Sequence, residues 1–157
     1  LAEYEVNSSA IWSRTSLAQS NVSTTEYTLP LDTAILSYSH FLVYTASSFV
    51  EQTTPTAIEI DNANVSVSVI DFTDKDLDAG EVGGDIYWSI TAPTDRVVSY
   101  HVYLAGSEEG YKRSEVGDLL LVGTQQTHVD RGTPQEDYTH LVVYTKSALV
   151  EQSTPVY

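Results

Sequence analysis

Asp74, Asp76, Asp78, Glu81 and Asp85 are the densest run of carboxylates in the chain. Carboxylates at alternate positions closing on a glycine suit a hard cation such as Ca²⁺, which takes oxygen ligands only. The Asp-x-Asp-x-Asp spacing begins like a helix-loop-helix calcium loop and then departs from it. Glycine stands at the seventh position rather than the sixth, and Asp85 takes the place of the usual bidentate glutamate. The plainer reading of these residues is a solvated acidic turn between two strands.

Asn7, Asn21 and Asn64 each open an Asn-x-Ser sequon, the acceptor pattern for N-linked glycan in a secreted chain. The competing reading is chance, because serine and threonine are abundant. The histidines, His40, His101, His128 and His140, invite a metal or general-base role, but a lone strand histidine is usually a packing or hydrogen-bonding residue. No Gly-x-Ser-x-Gly, His-Glu-x-x-His or phosphate-cradling glycine loop is present. The expectation is a non-enzyme with no obligatory cofactor, Ca²⁺ at the acidic run being the one candidate.

The elements that must carry these residues come from an internal repeat. Residues 38–55 read YSHFLVYTASSFVEQTTP, residues 138–155 read YTHLVVYTKSALVEQSTP, and 11 of the 18 positions are identical at a spacing of 100. Further back, Trp12-Ser-Arg14 faces Tyr111-Lys-Arg113. A unit of this length is the size of a small β-sandwich. The first copy has no counterpart of residues 60 to about 98, and the second lacks the counterpart of Ala57-Ile58-Glu59-Ile60. The expected organisation is residues 1–60 as an incomplete unit and 61–157 as a nearly complete one.

Apolar alternation at Val65/Val67/Val69, Ile86/Trp88/Ile90, Tyr100 to Leu104 and Tyr138/His140/Val142/Tyr144 predicts strands. Turn signals fall at Gly83-Gly84, Ala92 to Asp95, Gly106 to Gly110 and Gly132-Thr-Pro134. No window shows a helical period with caps, so the class is all-β.

Seven basic residues against 22 acidic ones give −15. That balance excludes a cationic footprint for nucleic acid or anionic lipid. No apolar run is long enough to span a membrane as a helix. There is no cysteine, so no disulfide or thiolate metal site exists.

Trp88 on a second strand, Tyr100-His-Val-Tyr103 on a third, Tyr138 to Tyr144 and the ending Glu151-Gln-Ser-Thr-Pro155 together resemble the fibronectin type III family. The resemblance covers residues 65–157 well and 1–60 in part. It implies two immunoglobulin-like (fibronectin type III-like) β-sandwiches, the N-terminal one strand-deficient, and carries little about activity. The acidic block also resembles large secreted tandem-repeat proteins of aquatic microbes. The missing strands resemble subunits of pilus-like surface fibres that exchange a β-strand.

On that resemblance the chain is expected to be an extracellular or cell-surface structural subunit of a fibril. It would partner itself in an open homopolymer by donor-strand exchange, with glycan as a further partner. Leu1, Tyr4 and Val6 are the candidate donor residues, apolar knobs in the first stretch of the chain. The alternative is a carbohydrate- or protein-binding adhesin module within a long tandem-repeat protein.

Overall fold

The computed structural model describes residues 2–8 and 11–157, with side chains from Arg14 onward. The chain divides into two compact units, Leu1–Ala63 and Asn64–Tyr157. No helix occurs among the described residues. The molecule is all-β with several antiparallel sheets, an arrangement compatible with a β-sandwich.

Unit 1 holds β1 (Ala2–Ser8), β2 (Ile11–Ala18), β3 (His40–Val43) and β4 (Thr56–Glu59) in one sheet of order β2-β1-β3-β4. Unit 2 holds β5 (Val67–Phe72), β6 (Glu81–Ile90), β7 (Ser99–Ala105), β8 (Ser114–Glu115), β9 (Leu120–Leu121), β10 (Gln126–Pro134) and β11 (His140–Lys146). One of its sheets runs β10-β6-β5 and the other β11-β7-β8, with β9 also on β7. On the free side of β11, Val143 and Val156 exchange both backbone hydrogen bonds, at 2.8 and 3.0 Å.

The core of unit 2 draws on both sheets. Val67, Ile86, Trp88 and Val129 come from the β10-β6-β5 sheet, and Tyr100, Val102, Leu104 and Val143 from the other. Each strand contributes alternate residues, as a pleated strand with one buried face must. Trp88 and Tyr100 pack at 5.8 Å between ring centroids, tilted by 59°.

Two turns expected from glycine lie inside strands instead. Gly83 and Gly84 belong to β6. A Cβ on Gly83 would stand 2.9 Å from the Arg131 Cα, and Gly84 has φ +149 with Thr73 O where a Cβ would go. The pair therefore lets β6 run close beneath β10 at an irregularity between Val129 and Thr133. Gly132-Thr-Pro134 likewise falls within β10, Gly132 taking φ +72 at that irregularity.

The sheet of unit 1 follows the same path as β8-β7-β11-Val156 in unit 2. Residues 26–34, the repeat counterpart of β10, form no strand. In unit 2 β10 is held by β6 alone, and among the described residues no strand partners 26–34.

Both units preserve one side-chain clamp. In unit 2 the Arg113 guanidinium lies 4.5 Å from the Tyr103 ring centroid and 4.4 Å from that of Tyr144, and pairs with Glu151 at 2.7 Å. Tyr103 Oη also donates to Glu151 at 2.8 Å. In unit 1 Arg14 lies 4.6 Å over Tyr44 and pairs with Glu51 at 2.8 Å. The turn that presents the glutamate is duplicated too. Thr45 donates to Gln52 and Thr145 to Gln152, each at 2.7 Å. Ser47 and Ser147 cap their turns by accepting from Val50 N and Val150 N.

A flat guanidinium fits between two rings and reaches a carboxylate in a way an ammonium cannot. Arg113→Ala is expected to cost about 2 kcal/mol in denaturant unfolding, and Arg113→Lys most of that. Losses below about 0.5 kcal/mol would put the clamp among ordinary surface pairs. Burial, then the hydrogen bond to Glu151, pushes the Tyr103 phenol up from its ordinary 10.0. A folded pKa above the unfolded one gives stability that is complete below about pH 10 and is lost as pH rises further. Alkaline unfolding is thus expected to be less steep in Tyr103→Phe than in the unaltered chain, measured by tyrosinate absorbance and circular dichroism together.

Candidate functional site

The acidic run lies between β5 and β6 and is shaped by its own backbone. Asp74 Oδ1 accepts from the N–H groups of Asp76 and Gly83, both at 3.0 Å. Asp76 accepts from Asp78 N at 3.1 Å through Oδ1 and from Gly132 N at 2.7 Å through Oδ2. Asp76 thus ties the loop to β10. Asp85 sits with the Lys75 ammonium at 2.6 Å. The hydrogen bond and charge of Lys75 hold its carboxyl below the usual range.

Of the five carboxylates, the structure brings together Asp76, Asp78 and Glu81, each offering an oxygen within 4.8 Å of the others. Asp74 is committed to backbone and Asp85 to Lys75. Three carboxylates leave a calcium ion to complete its shell from carbonyls and water. They line a cleft of about 650 Å³ that also carries His128 and Arg131, so its wall is of mixed charge.

The sequons differ in setting. Asn7 lies in β1 opposite Trp12, and its side chain is outside the described residues. Asn21 is exposed in the strand-free stretch before β3, its Oδ1 accepting from Ser23 Oγ at 2.7 Å. Asn64 Oδ1 accepts from Gln152 Nε2 at 3.0 Å, which fastens it to the turn after β11.

The histidines do not converge. His40 and His140 make the same local bond in the two copies, to Ser39 and Thr139 at 2.9 and 2.8 Å. His101 faces Glu115 at 2.7 Å, and His128 faces Asp130 at 3.1 Å in the open.

The contrast between the units lies on a sheet face. Leu141 and Val143 of β11 turn toward the unit 2 core, and Val143 is 1% exposed. Its counterpart Val43 in β3 is 52% exposed. Phe41 stands opposite Ile58 of β4, so both share the Val43 face, and Ile58 is 68% exposed. On the opposite face Leu42 and Tyr44, beside the clamp, are buried. The backbone of Ala2–Ser8, which includes Tyr4 and Val6, pairs with β2, and its first part, Ala2 to Glu5, also pairs with β3. Leu1 and the side chains of Tyr4 and Val6 lie outside the described residues.

No protein-family model, no curated protein and no solved structure matches the chain. The site is therefore read from its own geometry. Sequence reasoning passed over Val43, although aligning the two copies shows it apolar in both, as Val43 and Val143; Ile58 has no counterpart in the second copy and gives no such signal. Sequence reasoning also left Arg14 and Arg113 without a role, although they had been aligned.

Hydrogen bonds from Asp78 N, then Gly132 N, hold the Asp76 carboxyl below its ordinary 3.8. A depressed pKa gives a contribution present above that value and lost as pH falls through the folded one. Exchange of the Gly132 amide is expected to stay slow down to about pH 4 and to quicken below it, and to be fast at neutral pH in Asp76→Ala. Calcium held by Asp76, Asp78 and Glu81 would raise the thermal midpoint on adding CaCl₂, and Asp78→Asn would remove the rise. An unchanged midpoint would make the loop an acidic turn alone.

Proposed function

We propose that this chain is a structural subunit of an extracellular fibril, assembled by β-strand complementation between protomers. The observation that carries the proposal is the contrast between Val43 and Val143, one repeat position in two states. In unit 2 the sheet face is closed by β10-β6-β5; in unit 1 the equivalent face, with Val43 and Ile58, stands open. Apolar surface of this kind gains about 25 cal/mol for each Å² removed from water. An uncovered sheet with free edges is also a template for added strands.

A contact in which strands of one protomer cover unit 1 of the next joins unlike surfaces. Contacts of that class propagate head to tail and give an open filament unless a rotation closes the ring. Leu1, Tyr4 and Val6 stay the candidate donors. Because Ala2–Ser8 is paired with β2 throughout, and with β3 from Ala2 to Glu5, in its own chain, donation through it is an exchange of strands.

The finer fold belongs to the same reading. The strand orders β10-β6-β5 and β11-β7-β8, with Trp88 on β6, support reading unit 2 as a fibronectin type III-like sandwich. Unit 1 then corresponds to one sheet of such a sandwich. A net charge of −15 keeps such protomers soluble before they join.

The test pairs two substitutions. Val143→Asp buries a charge and is expected to cost about 4 kcal/mol or more, unfolding unit 2. Val43→Asp combined with Ile58→Asp should leave the chain folded by circular dichroism and abolish filaments in electron micrographs. Filaments from that double variant at the unaltered rate would overturn the proposal. A concentrated, unaltered chain that stays monomeric and binds glycan would instead make it an adhesin module.

A further inference from the structure

We infer that Asn21, alone of the three sequon asparagines, is presented by the fold as an N-glycan acceptor, a role that rests on reading the chain as secreted. At a spacing of 100, Asn21 corresponds to Leu121 of β9. In unit 2 that segment pairs with β7 and continues into β10. In unit 1 the equivalent segment forms no strand, so a bulky modification there breaks no ladder.

The local geometry suits the chemistry. Ser23, at the sequon's third position, donates to Asn21 Oδ1 through its hydroxyl at 2.7 Å and its N–H at 3.3 Å. Thr24 Oγ1 adds a third bond at 3.2 Å, and Thr24 N closes the turn onto Asn21 O at 3.1 Å. Donors gathered on the amide oxygen draw electron density from the nitrogen and make its N–H more acidic. Asn21 and Ser23 are exposed, and Val22 between them is wholly so. No bond to Asn21 Nδ2 occurs among the described residues.

The reaction is a glycosyl transfer from a lipid-pyrophosphate-linked oligosaccharide. A bond forms between Asn21 Nδ2 and the sugar's anomeric carbon. The bond from that carbon to the pyrophosphate oxygen breaks, the lipid pyrophosphate leaves with the electron pair, and Nδ2 gives up one proton. No electron is gained or lost overall.

The other two sequons are held. Asn64 Oδ1 accepts from Gln152 Nε2 at 3.0 Å and from Ser66 Oγ at 3.3 Å, and the same Nε2 donates to Ser66 Oγ at 2.7 Å, so this sequon, unlike that of Asn21, is tied to the turn after β11. Thr145 Oγ1 donates to Val65 O at 2.6 Å and fixes the residue between them. Asn7 lies within the β1 strand, in register with Trp12 of β2.

The experiment is secretion of the full chain from a eukaryotic host, with intact mass and site occupancy by mass spectrometry. Asn21 should be occupied in most molecules, and Asn21→Gln or Ser23→Ala should remove most of the added mass. Asn64→Gln and Asn7→Gln should leave it. Occupancy at Asn64 or Asn7 equal to that at Asn21, or an unmodified secreted chain, would overturn the inference. Electron microscopy of the same material separates the two proposals. Filaments without glycan refute the acceptor alone, and glycan at Asn21 on a chain that never assembles refutes the fibril alone.

Discussion

Two sheets closing on Trp88, Tyr100 and Val143 are the constraint on which the rest of unit 2 depends. Neither sheet can hide its own apolar face, and isolated small sheets are marginal in water. Trp88 and Val129 supply one half of the interior and Tyr100, Val102 and Val143 the other. Gly83 of β6, the irregularity in β10 and the acidic loop tied to Gly132 meet within the β10-β6-β5 sheet. Among the described residues of unit 1 there is one sheet, with Val43 and Ile58 exposed on one face.

Unit 1 keeps its sheet because the other face is looked after separately. Leu42 and Tyr44 are buried there, Tyr44 beneath Arg14, as Val142 and Tyr144 are in unit 2, Tyr144 beneath Arg113. The two faces of the unit 1 sheet thus differ: Leu42 and Tyr44 are buried on one, and Val43 and Ile58 are exposed on the other.

The repeat was legible because the identities at 38–55 and 138–155 are dense and local. The strands were legible where alternation was clear, as at Ile86/Trp88/Ile90 and Tyr138 to Tyr144. Gly83-Gly84 misled, because a glycine pair signals a turn or a close approach equally well, and only the position of Arg131 decides. Residues 26–34 could not be assigned from their own composition, since their state depends on a partner strand distant in sequence. At the carboxylates, spacing named the cluster but not which members would turn back to backbone or to Lys75. The division of the chain falls after Ala63, beyond the Ile60 at which the repeat pattern gives out.

The doubled turn after β3 and β11 bears on the order of folding. Its bonds join residues close in sequence: Thr145 to Gln152 spans seven residues, and Ser147 to Val150 three. Loops of this size close in about 10–100 ns, far sooner than sheets that join distant strands. Each copy therefore carries a contact of low sequence separation that forms before any sheet is complete. In unit 1 the same bonds recur, Thr45 to Gln52 and Ser47 to Val50, so each unit closes its turn independently of any longer-range pairing.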